Sequence, residues 1–159
     1  MIIKVDTREK PRAIVKILAE FDRQGISHLH GEALNVGDYM RTDNPYISID
    51  RKQNLNELCN NVCQESARFK RELKRAVVNG IKLIVLVEHS EDIKTLDDVR
   101  SWVNPRQETS RYCVSGEQLH KTLTMLNRSY GVEFQFCSKN ETGRRIIQIL
   151  EEAGEIANA

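Results

Sequence analysis

Apolar residues in the N-terminal half of the chain recur at spacings that predict alternating strands and helices. Residues 2–5 are predicted to form a short strand. After Pro11, apolar positions repeat as on one face of a helix, which is predicted to end near Gly25. Strand-like segments follow at roughly 27–34, 38–42 and 46–50, and the turn residues at 43–45 predict a hairpin between the last two.

The C-terminal half continues this alternation. Helical spacing is found in two segments between residues 55 and 78, closed by Asn79 and Gly80. The unbroken aliphatic run at 83–87 is typical of a strand buried on both faces of a sheet. Helices are predicted at 116–129 and 142–153, with a strand at 132–136 between them. The order predicts a single α/β domain over residues 1–159, with a mixed central sheet flanked by helices.

One long segment, from about residue 88 to 115, has weaker periodicity and is predicted to be a surface excursion with one helix near 96–103. It contains Trp102 and Tyr112 together with three arginines, Arg100, Arg106 and Arg111. Aromatic and guanidinium groups can stack bases or clamp a single strand, although a small satellite core would use the same aromatic residues. Because long loops with little periodicity tend to carry function, we favour a DNA-contacting segment.

The composition is ordinary for a globular domain, with 40% apolar and 30% charged residues and a net charge of +1. No apolar run approaches the ~20 residues that span a bilayer, and no signal-peptide pattern precedes the first strand. We therefore expect an intracellular protein, cytoplasmic in a prokaryotic or phage setting and nuclear in a eukaryotic one. The cysteine spacing does not resemble a disulfide framework, and buried thiols explain Cys59 and Cys63 better than zinc binding does.

Basic residues cluster in the second of the helical segments between residues 55 and 78. Positive charge along a helix can track the phosphates of DNA, which makes Arg68, Arg71 and Lys74 candidate DNA-binding residues. A solvated helix face explains the same charges equally well.

Carboxylates stand at or near the ends of three predicted strands, at Asp6, Asp38 and Asp50. Asp38 and Asp50 on adjacent hairpin strands can converge on a hard divalent cation such as Mg²⁺, which prefers oxygen ligands. Lys52 lies two residues after Asp50, so strand alternation points both side chains to one face. There an ammonium group can hold a nucleophilic water or stabilise charge on a phosphate. An Asp-x-Lys pattern by itself is weak, because turn aspartates and solubilising charges produce it often.

The order of three short motifs makes the signal more specific. Val5-Asp6-Thr7-Arg8-Glu9 is followed by Gly37-Asp38 and then by Asp50-Arg51-Lys52. In this order and spacing the sequence resembles the XPF-type structure-specific endonuclease family, whose motifs read Val-Asp-x-Arg-Glu, Gly-Asp and Glu-Arg-Lys. The similarity covers nearly the whole chain except about residues 89–115.

This resemblance implies a restriction-endonuclease-like fold, dependence on Mg²⁺ or Mn²⁺, and cleavage of branched or flapped DNA in recombination or repair. It assigns metal binding to Asp38 and Asp50, and to Asp6 either metal binding or a supporting role. Arg8 would grip a phosphate or orient a carboxylate, Arg51 would support the same sheet edge, and Lys52 would be the catalytic lysine. The catalytic set implied by the family is therefore Asp6, Arg8, Asp38, Asp50, Arg51 and Lys52.

Two departures from the family pattern bear on the site. The family usually has Glu at the position of Asp50, and it has Asp where this chain has Asn56, so that Glu57 is a candidate substitute. The helix-hairpin-helix repeats of many relatives are not found here. Because the family's nuclease domains commonly pair, we consider a homodimer or a partner nuclease subunit, with apolar helix faces as candidate interfaces at Leu119, Leu123, Leu126, Ile146, Ile147 and Leu150. The alternative is that these faces simply cover the sheet, which we favour slightly for the first of the two helices.

Three functions remain open from the sequence. The leading hypothesis is an Mg²⁺-dependent endonuclease that acts on branched or flapped DNA. A sequence-specific or general duplex nuclease would use the same fold, since fold alone does not fix the substrate. A catalytically silent DNA-binding or scaffolding partner of another nuclease is the third, and the retained Asp38, Asp50 and Lys52 argue against it.

Overall fold

The computed structural model describes residues 1–89 and 92–157. The strands in this part of the chain are β1 (Ile2–Val5), β2 (Ser27–Leu29), β3 (Tyr39–Arg41), β4 (Ile47–Lys52), β5 (Lys82–Glu88) and β6 (Glu133–Cys137). The α-helices are α1 (Val15–Arg23), α2 (Leu55–Cys59), α3 (Ser66–Val78), α4 (Gly116–Tyr130) and α5 (Thr142–Ala157). A π-helical segment, Asn60–Gln64, links α2 to α3, and 3₁₀ helices form at Pro11–Ala13, Asp97–Ser101 and Pro105–Glu108.

The six strands form one mixed sheet in the order β2-β1-β3-β4-β5-β6. β1 is parallel to β2 and antiparallel to β3, and β3 is antiparallel to β4 through the predicted hairpin. β4, β5 and β6 are parallel neighbours. The mixed α/β architecture predicted from the sequence is confirmed.

β5 lies inside the sheet and is covered on both faces, as its aliphatic run predicts. Leu83, Val85 and Val87 belong to the apolar cluster that also contains residues of α2, α3 and α4. Ile84 and Leu86 belong to the opposite cluster, with residues of α1 and α5. A helix layer on each face therefore buries both sides of the strand from water.

Several boundaries differ from the sequence prediction. The strand predicted at 27–34 ends at Leu29, because the chain leaves the sheet there and the Leu34 N–H turns to the Asp6 carboxylate. The helix predicted near 96–103 is a short 3₁₀ helix. Trp102 is buried in the apolar cluster beside α4, so it belongs to the core and the hypothesis that it stacks on bases was wrong.

The residues suggested for a dimer interface are also core residues. All six lie in the two apolar clusters beneath α4 and α5, buried at Leu119, Leu123, Leu126, Ile146, Ile147 and Leu150. Their burial confirms the alternative that these faces cover the sheet, as the apolar faces of amphipathic helices do, so these six side chains are not exposed as an interface. None of the helices in the described residues is long and apolar enough to cross a membrane.

Gly37, in the Gly-Asp motif, has a φ of +72° and packs against β4. A Cβ added there would overlap Ser48 Oγ and lie 3.0 Å from the Ile49 carbonyl oxygen. We expect Gly37→Ala to lower the free energy of unfolding by about 1–3 kcal/mol, from backbone strain and overpacking together. Urea denaturation checks this value. Gly31→Ala is the matched control, since a Cβ added at Gly31 would meet no atom within 4 Å; equal stability of the two variants would contradict the prediction.

Candidate active site

The three sequence motifs meet at one edge of the sheet. The Asp6 N–H donates to the Asp38 carbonyl oxygen at 2.8 Å, and the Asp38 N–H donates to the Ile49 carbonyl oxygen at 2.7 Å. β1 and β4 end at this edge and β3 begins there, since β3 is antiparallel to both. Backbone hydrogen bonds therefore hold the motif residues in register.

A cleft of about 300 Å³ opens at this edge, between the sheet and the segment from α2 to α3. Its lining combines five carboxylates with three cationic side chains and also includes the backbone of Gly37. The lining residues are Arg8, Gly37, Asp38, Asp50, Lys52, Glu57, Asn61, Glu65, Arg68, Phe69 and Glu72. The cleft thus brings together Asp38, Asp50, Lys52, Arg8 and Arg68 from the sequence-based candidates.

Asp38 and Asp50 are crowded in this cleft. Burial raises the pKa of Asp38 well above its ordinary value, and the negative charges of Asp50 and Glu9 raise it further. The Arg51 N–H opposes this by donating to Asp38 Oδ2 at 2.8 Å. Asp50 is only 5% exposed, and its buried Oδ2 has the Lys52 ammonium 3.1 Å away, although the angles of that contact are not those of a hydrogen bond. Two buried carboxylates thus lie side by side in the cleft, which makes ionising both of them unfavourable.

Lys52 lies beside these carboxylates. Its Nζ is 3.1 Å from Asp50 Oδ2, which is salt-bridge distance, and 5.9 Å from the centre of the Phe69 ring. Burial alone would lower the pKa of Lys52, but the charges of Asp50 and Asp38 raise it overall. Lys52 is therefore held as an ammonium ion, which makes it a cation and hydrogen-bond donor rather than a base.

Asp6 does not line the cleft but is bound by Arg8, which does. Arg8 binds both of its oxygens, with Nε 2.9 Å from Oδ1 and Nη2 2.7 Å from Oδ2, and the Leu34 N–H adds a bond of 2.6 Å. Burial alone would raise the pKa of Asp6, but these hydrogen bonds lower it overall. The arrangement favours a supporting role for Asp6 and an orienting role for Arg8, while metal binding by Asp6 remains a prediction.

Arg51 points to the opposite face of β4 and is buried there. Its guanidinium binds both oxygens of Glu9 at 2.8 and 2.9 Å and lies 3.3 Å from Glu88 Oε1. Thr142 at the start of α5 donates to the same oxygen of Glu88 at 3.0 Å. This network ties β4 to the first motif, to the end of β5 and to α5. Arg51 therefore acts on the cleft through position and through its N–H, and its side chain does not line the cleft.

Glu57 lines the cleft, whereas Asn56 at the family's Asp position does not. Glu57 Oε2 accepts from the Gln53 N–H at 2.7 Å, and Asn54 accepts from the Glu57 N–H, so the pair caps α2. Asn56 Oδ1 is buried with no hydrogen-bond partner among the described residues. The position supports Glu57 as the substitute for the missing carboxylate, which remains a prediction.

Sequence reasoning did not assign several residues to the site. Glu65, Phe69 and Glu72 follow one another at helical spacing and face the cleft together with Arg68. Glu72 also accepts from the Gly37 N–H at 3.0 Å, which joins α3 to the Gly-Asp motif. The helical period of this segment was the signal that could have placed them.

The other basic candidates lie outside the cleft. Arg71 and Lys74 are exposed on α3 and line a separate shallow groove with Arg75. Arg68 at the cleft and these two residues form a positive stripe along the helix. His28 on the edge strand β2 contacts His30, just after that strand, at 2.8 Å, and neither residue lines the cleft.

The donors of the cleft fit a hard divalent cation. Among residues 1–89 and 92–157 no three His, Cys, Asp or Glu side chains form a ready metal cage. Mg²⁺ does not require one, since it usually keeps several waters and binds one or two carboxylates. Asp38 and Asp50 supply two such carboxylate ligands side by side in the cleft.

Comparisons with known proteins agree with the fold. XPF from Aeropyrum pernix matches with a TM-score of 0.67 at 17% identity, over 97% of this chain and 65% of that chain. XPF from Aeropyrum pernix in a complex with DNA matches with a TM-score of 0.66 at 18% identity, over the same shares. The chain thus spans about 65% of the length of these relatives. No curated protein is significantly similar in sequence.

The mixed sheet with helices on both faces and a cleft at the motif edge is the fold of an XPF-type nuclease domain. The sequence matches the ERCC4 domain over residues 5–149. The chain belongs to the ERCC4 domain family, and the resemblance carried by its three motifs is confirmed.

The raised pKa of Asp38 has a consequence for stability. Protonated Asp38 favours the folded state below its ordinary pKa of 3.8, and this contribution is lost as the pH rises through the raised value. In EDTA at neutral pH we therefore expect Asp38→Asn to increase the free energy of unfolding by about 1 kcal/mol. The gain should shrink as the pH approaches 4, and urea denaturation across pH measures it.

Asp98→Asn is the control for the sign of this effect. Hydrogen bonds from the Lys94 and Thr95 N–H groups lower the pKa of Asp98, so its contribution is present above the ordinary pKa and is lost as the pH falls. Asp98→Asn should therefore destabilise the fold at neutral pH. A loss of stability in Asp38→Asn under the same conditions would show that the cleft does not strain the carboxylate pair.

Proposed function

We propose that the chain is a divalent-metal-dependent endonuclease that hydrolyses phosphodiester bonds in branched or flapped DNA. The observation that carries this proposal is the convergence of two buried carboxylates, Asp38 and Asp50, with the Lys52 ammonium in one cleft. Membership of the ERCC4 domain family supports the choice of DNA as substrate. XPF from Aeropyrum pernix was solved in a complex with DNA, which adds to that support.

Asp38 and Asp50 would hold the metal ion, Mg²⁺ or Mn²⁺, together with the adjacent backbone. When bound there, the ion supplies polarisation of a phosphate oxygen and a lower pKa for a coordinated water. Two carboxylates close together attract a divalent cation strongly, since each would otherwise raise the cost of ionising the other.

The remaining residues act on the DNA phosphate. Lys52, held as an ammonium beside Asp50, stabilises the negative charge that develops on the phosphate during hydrolysis. Arg8 and Arg68 line the cleft and attract the DNA backbone toward it. The stripe formed by Arg68, Arg71 and Lys74 extends this attraction along α3, where the duplex part of the substrate would lie.

The catalytic role of Lys52 is tested by Lys52→Met, which keeps the apolar stem and removes the charge. We expect cleavage of a forked DNA in Mg²⁺ to fall by at least about 100-fold, the scale of losing one transition-state donor. Gel analysis of a labelled fork under single-turnover conditions measures the rate. Lys82→Met is the control, because Lys82 pairs with Glu133 at the other end of β5 and should cut at the wild-type rate. Wild-type cleavage by Lys52→Met would remove Lys52 from the mechanism.

The same assay separates the alternative functions. Preferred cutting of forks and flaps over plain duplex supports the proposal, whereas equal cutting of plain duplex indicates a general nuclease. Binding without cutting, in Mg²⁺ and in Mn²⁺, indicates a silent DNA-binding or scaffolding partner.

The stripe on α3 gives a separate prediction about binding. Arg71→Ala and Lys74→Ala should each weaken binding to forked DNA, and the slope of log affinity against log salt should become shallower by about one for each lost phosphate contact. Fluorescence anisotropy with Ca²⁺ in place of Mg²⁺ measures this. Arg23→Ala, an exposed arginine of α1 paired with Glu20, is the control. Unchanged affinity at low salt in both α3 variants would mean that the stripe is only a solvated face.

A further inference from the structure

The segment that connects β5 to α4 is anchored to the core by buried residues. Val99 and Trp102 pack in the apolar cluster with α4, and Asn104 is only 2% exposed. The Asn104 side chain donates to the Val114 carbonyl oxygen at 2.9 Å and accepts from the Arg106 N–H at 3.0 Å. One buried side chain therefore closes the segment 105–114, here called the 105–114 loop, as a compact surface loop.

The outer part of this loop exposes an aromatic ring among positive charges. Tyr112 is 92% exposed, and Arg106 and Arg111 are exposed on the same loop. Neither arginine forms a salt bridge with any residue in the described part of the chain. The two guanidinium groups and the ring thus contribute little to the fold, although their backbone is anchored. A lone exposed aromatic needs no explanation, but an aromatic with unpaired arginines on an anchored loop matches the chemistry that binds unpaired bases.

The position of the loop relates it to the cleft. Val114, at the end of the loop, packs against the apolar cluster that contains Cys59. Cys59 ends α2, and the π-helical segment that follows supplies Asn61 to the wall of the cleft. The end of the loop therefore packs into the same apolar layer as the element that forms one wall of the candidate active site.

We propose that the 105–114 loop binds single-stranded DNA, with Tyr112 stacking on a base and Arg106 and Arg111 contacting the adjacent phosphates. This proposal rests on the proposed function, because it assigns the loop to the single-stranded arm of the branched substrate. A duplex presents its bases stacked inside the helix, so only an unpaired strand offers a base face to Tyr112. The loop would then make the protein selective for a junction. In this arrangement α3 binds the duplex, the cleft holds the phosphodiester bond to be cut, and the loop binds the unpaired arm.

Binding is measured by fluorescence anisotropy with a labelled thymidine oligonucleotide, a fork and a plain duplex, all in EDTA so that no cleavage occurs. We expect Tyr112→Ala to weaken binding to the single strand and the fork by about 5- to 100-fold, and binding to the duplex less than 2-fold. Tyr112→Phe keeps the ring and should bind like the wild type. Arg111→Ala should make the salt dependence of single-strand binding shallower.

Tyr46→Ala is the matched control. Tyr46 is 64% exposed and precedes β4 at the end of the sheet away from the cleft, so its loss should leave all three affinities unchanged. The proposal is overturned if the wild type has no affinity for the single strand, or if Tyr112→Ala binds it as well as Tyr46→Ala does. An equal loss on plain duplex would overturn it as well.

These outcomes are separable from failure of the proposed function. If the wild type cuts no DNA but Tyr112→Ala loses single-strand binding, the proposed loop site is supported and the proposed nuclease function is contradicted. If the wild type cuts the fork but Tyr112→Ala binds the single strand normally, the nuclease function is supported and the loop site is contradicted.

Discussion

Asp38 and Asp50 lie next to each other in a cleft with limited access to water, and their mutual repulsion is the constraint around which the site is built. The protein meets it only in part. The Lys52 ammonium lies beside Asp50 Oδ2, and the Arg51 N–H donates to Asp38, but one ammonium group stands against two buried carboxylates. Such a pair persists because the surrounding strands fix it, and its remaining charge is what a divalent cation would neutralise.

The strands are fixed from the opposite face of β4. Arg51 is held by Glu9 and Glu88 in a buried ionic network, so the alternation of one strand gives two functions at consecutive positions. Asp50 and Lys52 face the cleft, while Arg51 fastens the same strand to β5, to α5 and to the first motif. Replacing the arginine by lysine would not preserve this, since only a planar guanidinium binds a carboxylate through two parallel hydrogen bonds. Adjacent residues of the Asp50-Arg51-Lys52 motif therefore have different roles: Arg51 supports the strand, and its two neighbours face the cleft.

Much of the fold was predictable from the sequence, because periodicity reports local burial. The aliphatic run of β5 and the helical repeats of α1, α3 and α4 each identified an element correctly. The convergence of Asp38, Asp50 and Lys52 was also predictable, since strand alternation and motif order place them on one edge. Periodicity could not say which side chains lie across the cleft, so the contributions of Glu65 and Glu72 were missed. It also could not distinguish a buried aromatic from an exposed one in an irregular segment, and for this reason Trp102 and Tyr112 were treated alike although only Tyr112 reaches solvent.

The π-helical segment Asn60–Gln64, with the bend at Glu65 that follows it, sets the position at which α3 begins. A π-helical turn behaves as an α-helix that has gained one residue, and each residue of an α-helix turns the chain by about 100°. Shortening this segment by one residue would therefore shift α3 relative to the sheet edge. Arg68, Phe69 and Glu72 would move with it, although none of them would be substituted. Among relatives, the length of this connection is thus as informative about an intact cleft as the identity of the charged residues themselves.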